Sequence, residues 1–177
     1  MENTIRGYKA FNADLTNRYG IPFEEGKKYS VNGHAVFGNH GNGFHFCERL
    51  EDTLRYFDAM DGEVAFAEVV GSGDIVEYSD EYYGYYDMYA ATELEVVRFL
   101  SRKDIIDMFL DAPFYRTIRF VQGFRLTEEE RELFKLQYDS EYKVLQAIAY
   151  YQEGKKDTYE VEDGFKYMKR IPNINTE

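Results

Sequence analysis

At 177 residues, with 44% hydrophobic and 18% aromatic content, the chain is long enough to bury one proper core and too short for two ordinary domains. Its 21 Lys and Arg against 33 Asp and Glu leave a formal charge of −12, a field that repels a nucleic-acid backbone; the only short basic clusters are the two "GKK" stretches at 26–28 and 154–156. One cysteine permits no internal disulfide, "MENTIRGYKAFNADL" has no leader pattern, and no apolar run approaches the roughly 20 residues of a membrane span, so a cytoplasmic protein that keeps off membranes is expected.

In chain order, the first half reads as short strands punctuated by glycine. "IRGYKAF" (5–11) alternates Gly7, Lys9 and Phe11 against Arg6, Tyr8 and Ala10. "GKKYSV" (26–31) and "HAVF" (34–37) flank Asn32-Gly33, the signature of a two-residue hairpin. "GFHFC" (43–47) is a strand with Phe44 and Phe46 on one face and His45 and Cys47 on the other. The period then changes: Leu50, Leu54 and Phe57 in "ERLEDTLRYFDAM" (48–60) predict a helix. "EVAFAEVV" (63–70) is apolar on both faces and predicts a central strand, "GSG" (71–73) a turn, and "DIVEYS" (74–79) the next strand. "TELEVVRFL" (92–100) sets Glu93, Glu95, Val97 and Phe99 on one face and Leu94, Val96 and Arg98 on the other.

The second half is helical. Ser101 with Asp104, and Thr127 with Glu130, have the spacing of capping boxes. Ile105, Met108 and Phe109 form an apolar stripe that Pro113 ends, and the long segment from Thr127 breaks near Asp139-Ser140 and closes at Gly154. The fold class is therefore α+β: a twisted, mostly antiparallel sheet, whole or split, with a helix after "GFHFC" and a helical C-terminal region. The chain divides into a sheet domain (1–100), a helical extension packed on it (101–154) and a polar tail (155–177). The acidic tyrosine run "YSDEYYGYYDMYA" (78–90) is too polar at its tips for a core and reads as a lid or partner-binding edge.

Phosphate-loop, dinucleotide, zincin and hydrolase-elbow motifs are absent. His34, His40 and His45 lack metal-ligand spacing, and no metal is expected. Cys47 reads as a buried structural thiol. The glycines of "GNHGNG" (38–43) turn the chain, and His45 is either a hydrogen-bonded strand histidine or a ligand contact.

The ordered set "GYKAFN", "EEGKKYSV", "GNGFHFCERLEDTLRYF" and "EVVGSGDIVEYSDE" resembles an uncharacterised bacterial and phage domain family with a YKAF opening and a G-[FY]-H-[FA]-C strand, over roughly residues 5–106. More distantly, a "GYKAF" strand, an aromatic strand and helix ending in "RYF", a "GDIVEY" strand and a later "ELE" resemble the layout of ADP-ribosyltransferases. That resemblance implies NAD or a related nucleotide as ligand, in an active or degenerate site. It puts Tyr8 and Lys9 at the first-strand position, His45 near the second, and Glu93 and Glu95 at the E-x-E, with Phe44 or Tyr56 stacking on nicotinamide. Glu95 would steady the positive charge that develops on the ribose as nicotinamide leaves. Two departures stand out: Lys9 replaces the usual Arg or His, and "FHFC" replaces the S-T-S triplet. The competing expectation is a non-enzymatic, acidic bacterial or phage accessory or inhibitor protein that binds a basic protein partner. On that reading Glu93 and Glu95 are a solvated acidic pair.

Overall fold

Alternating burial along β1 (Ile5–Asn12) sends Ala10 into one core and Phe11 into another, so this strand has apolar packing on both faces. The computed structural model describes residues 3–38, 40–55, 64–79 and 87–154. Within them β2 (Lys28–Ser30), β3 (Phe44–Cys47), β4 (Val64–Ser79) and β5 (Asp87–Phe99) join β1 in one antiparallel sheet of order β2-β5-β3-β1-β4. β4 also pairs with β5, so the sheet is whole and curls until β1 meets β3. Inside the curl lie Phe11, Phe23, Phe46, Val69, Leu94 and Val96.

Among the described residues four α-helices cover the outer face: α1 (Arg102–Leu110), α2 (Phe114–Gly123), α3 (Glu128–Gln137) and α4 (Tyr142–Ala147), the last running into a π-helical turn, Ile148–Gln152. Their Phe109, Phe120, Phe134 and Ile148 pack with Ala10 and Phe66 of the sheet. Both capping boxes form, at Ser101 with Asp104 and at Thr127 with Glu130, each satisfying backbone donors that the first turn leaves open. Gly154 takes φ 66° just past the π turn, as a closing glycine does. No helix of the described residues is long and apolar enough to cross a membrane.

Three local expectations are corrected. The hairpin at Asn32-Gly33 does not form, because β2 pairs with β5 instead, and 34–37 is an irregular loop held by a single bridge, Val36 to Asn42. The Asn42 side chain donates to the carbonyls of Asn32 and His34, both at 2.9 Å, and Ala35 N–H donates to Asp74, also at 2.9 Å, which replaces the missing ladder. "GSG" is no turn: β4 runs through it with a register shift between Ser72 and Ile75, and Gly73 takes φ 77° where a Cβ would lie 2.4 Å from the Thr92 hydroxyl. The helix after β3 is a 3₁₀ helix, Leu50–Arg55, whose Leu50 and Leu54 enter the helical core; the remainder of its expected span, with Phe57, lies outside the described residues. α2 was not anticipated.

Candidate functional site

β1 and β3 share one register position, Tyr8 opposite Cys47. Beyond it a side chain also ties the two strands: Lys9 Nζ donates to the His45 carbonyl at 2.6 Å. Ladder bonding thus gives way to a side-chain bridge, and a cavity of about 650 Å³ opens there. That volume lies within the ~300–1,000 Å³ range of small-molecule sites.

Two loops complete the walls. After β1, the Asn12 amide donates to the Thr16 hydroxyl at 2.9 Å and to the Asn17 carbonyl at 3.0 Å, folding the chain back through Leu15 at φ 63°. This turn presents Arg18 and Tyr19 to the cavity, with the guanidinium donating to the Tyr19 hydroxyl at 2.6 Å and lying 4.9 Å from the ring centroid. The second loop brings Phe37 flat against Tyr78 of β4, ring centroids 4.5 Å apart and planes within 4°. Phe37 also meets the His45 ring edge-on at 4.9 Å.

The His45 imidazole accepts the Gly38 N–H at Nε2, at 3.2 Å, which assigns its own proton to Nδ1. Burial, followed by the charges of Lys9 and Arg18, lowers its pKa to about 4, so the ring is neutral at physiological pH. Burial likewise lowers Lys9 to about 8, partly countered by Cys47. Lys9 is half-buried, and its ammonium lies 5.7 Å from the Phe11 ring centroid. At neutral pH most copies of Lys9 carry a charge.

The described lining of the cavity therefore carries the opposite sign to the chain as a whole. Among the described residues its lining includes Lys9, Arg18 and His45 and no Asp or Glu, in a protein of net charge −12. Two cations beside stacked rings suit an anionic ligand with a planar group. No group of three or more His, Cys, Asp or Glu side chains among the described residues is arranged to hold a metal ion.

Of the residues singled out from the sequence, Tyr8, Lys9, Phe44 and His45 line this one cavity. Tyr56 lies outside the described residues. Glu93 and Glu95 are not in the lining: they sit where β5 pairs with β2, Glu93 accepting the Ser72 hydroxyl at 2.9 Å and Glu95 facing the Lys28 ammonium at 3.5 Å. Of the tyrosine run, Tyr78 is exposed beside the cavity, Tyr89 is buried, and 80–86 lie outside the described residues. Sequence reasoning missed Arg18, Tyr19 and Phe37. The available signal was "NRYGIP" (17–22), a cation and an aromatic set in a Gly-containing loop directly after the first strand.

The neutral His45 has a consequence for stability. Its folded pKa lies below the ordinary value of 6.5, so between pH 6.5 and about 4 the unfolded chain takes up a proton that the fold refuses. Stability contributed by this site is complete above pH 6.5 and declines as the pH falls through that window. His45→Gln, whose amide oxygen can also accept an N–H, is expected to show a smaller drop in thermal midpoint between pH 7 and pH 4.5 than the unaltered protein. Equal drops would refute the assignment.

No curated protein and no solved structure matches the chain. Residues 5–108, spanning the whole curled sheet and most of α1, match the family model of DUF7666, a domain of unknown function, and the chain belongs to that family.

Proposed function

We propose that the chain is a binding module for a small anionic ligand with a planar ring, of the nucleotide class that includes NAD. The observation that carries this reading is the charge inversion: a cavity with Lys9 and Arg18 in its lining and no described carboxylate, inside a chain of charge −12. A phosphate would meet Lys9 and Arg18, and a base or nicotinamide ring would extend the Phe37–Tyr78 stack. That Glu93 and Glu95 are not in this lining supports the binding half of the transferase resemblance rather than the transfer step, which needs a carboxylate beside the departing nicotinamide.

Thermal shift with NAD, ADP and uncharged adenosine tests the reading. A ligand bound only by the fold stabilises it by roughly 2.7 kcal/mol at a hundredfold excess over Kd. NAD or ADP is expected to raise the midpoint and adenosine to do so far less. Arg18→Ala is expected to weaken binding about tenfold, roughly 1.4 kcal/mol. Glu95→Gln should leave binding unchanged. No shift at millimolar NAD or ADP would refute the proposal. The chain's acidity favours a second reading, an interaction protein for a basic partner. On that reading nucleotides do nothing, and Glu93→Gln with Glu95→Gln weakens a salt-sensitive protein complex.

A further inference from the structure

Lys9 differs from Lys27, Lys28, Lys103 and Lys135 in its surroundings. Lys27, Lys28, Lys103 and Lys135 each face a carboxylate, whereas the Lys9 ammonium is held by a backbone carbonyl and a ring face, with no carboxylate partner among the described residues. It is also the only one of these five that lines the cavity. An amine on a cavity-lining side chain with no carboxylate partner among the described residues has little to hold its proton, and the low pKa of about 8 follows chiefly from burial. At pH 7 about a tenth of such an amine is neutral, against well under a thousandth of an ordinary lysine. Neutral amine is the form that attacks carbonyl carbon.

We infer that Lys9 forms a reversible imine with an aldehyde-bearing, anionic aromatic ligand seated in the cavity, Arg18 holding the anionic group. This rests on the cavity being the anionic-ligand site proposed above. In the step, the Nζ lone pair attacks the carbonyl carbon, and the carbonyl π pair moves to oxygen, which takes up a proton as nitrogen gives one up. The carbinolamine then loses its hydroxyl with a proton as water, and the C=N bond forms. Amine plus aldehyde gives imine plus water, so no oxidant or reductant is required. The bond from Lys9 to the carbonyl of His45, itself a lining residue, holds the amine in one place instead of leaving a mobile side chain.

Borohydride trapping on the full chain with pyridoxal 5′-phosphate, a phosphate-bearing heteroaromatic aldehyde, tests the inference. The imine is reduced to a stable secondary amine that peptide mass spectrometry locates, and Lys28 and Lys103, whose side chains are 73% and 83% exposed, serve as internal controls. At pH 7 Lys9 is expected to be labelled at least about tenfold faster than either control, because its neutral fraction is larger by more than a hundredfold and burial takes back part of that gain. Its rate should climb to about pH 8 and then level off, while the controls keep climbing. Lys9→Arg should retain its fold and lose this adduct. Labelling of Lys9 no faster than Lys28, or a rate still rising at pH 10, overturns the inference even when ADP shifts the thermal midpoint. Fast Lys9 labelling with no ADP shift and no slowing by excess ADP supports the reactive amine and rejects nucleotides as the ligand class.

Discussion

Asp52→Ala is expected to destabilise the protein by about 3–5 kcal/mol, the cost of removing one partner from a buried ion pair. The Asp52 carboxylate lies 3.0 Å from the Arg116 guanidinium, and the two side chains are only 4% and 9% exposed. Asp52 stands on the 3₁₀ helix after β3 and Arg116 on α2, so the pair ties the segment carrying Thr53, part of the cavity wall, to the helical layer. Removing the carboxylate strips a buried cation of this partner while its desolvation remains. For a chain of this size the loss corresponds to roughly 10 °C in thermal midpoint. The paired change Asp52→Leu with Arg116→Met is expected to recover most of it, since hydrophobic replacement of both ions avoids the stranded charge. A loss below about 1 kcal/mol for Asp52→Ala would show that the guanidinium is solvated or held elsewhere.

Gly7→Val is expected to cost roughly 3 kcal/mol and to abolish ligand-induced stabilisation. A Cβ at Gly7 would lie 2.3 Å from the Cys47 carbonyl oxygen and 2.9 Å from the Phe46 ring. The nearest obstacle is backbone, which yields less readily than a flexible side chain, so β1 and β3 must part where the sheet closes. The same parting separates Lys9 from the His45 carbonyl and removes the cavity's floor. Gly26→Ala supplies the contrast: its φ of 75° disfavours an L residue, yet nothing lies within 4 Å, so a loss of about 1 kcal/mol with ligand binding intact is expected. Denaturant melts with and without ADP separate the two cases. Comparable losses would mean that close approach is not what Gly7 supplies.

The α+β class, the paired capping boxes and the break between α3 and α4 were legible because each rests on neighbours in sequence. Ser101 and Asp104, or Thr127 and Glu130, satisfy one another's backbone within a single turn, whatever the remainder of the chain does. Strand faces were legible for the same reason: alternation along "IRGYKAF" and "GFHFC" decides which side chains can share a side before any partner strand is known. Alternation does not account for the proposed ligand contacts Tyr8, Lys9, Phe44 and His45, which fall on opposite faces within each strand and were named from the transferase resemblance; the four line one cavity, and Tyr56 lies outside the described residues.

Pairing partners and surroundings were not legible. Asn32-Gly33 has the local chemistry of a hairpin turn, but β2 found its hydrogen bonds on β5, more than sixty residues away. "GSG" had turn chemistry, and only the long register between β4 and β5 made it a bulge. α2 carries Thr117, Ile118, Phe120 and Val121 within ten residues, a β-branched and aromatic run that propensity reads weakly as helix; burial against Phe109 and Phe134 decides it. The acidic pair Glu93 and Glu95 had the right spacing for a site, yet spacing does not say which strand lies alongside, and β2 brings Lys28 to Glu95 there. What the sequence determined by itself was therefore the capping boxes, the helix break and the face each strand residue takes, because those depend on backbone geometry over a few residues. Only the tertiary structure decided that, in an acidic chain, Lys9 and Arg18 share a cavity lining with no carboxylate among the described residues, because that depends on which distant segments, β1, the Arg18 loop and β3, the closing of the sheet brings together.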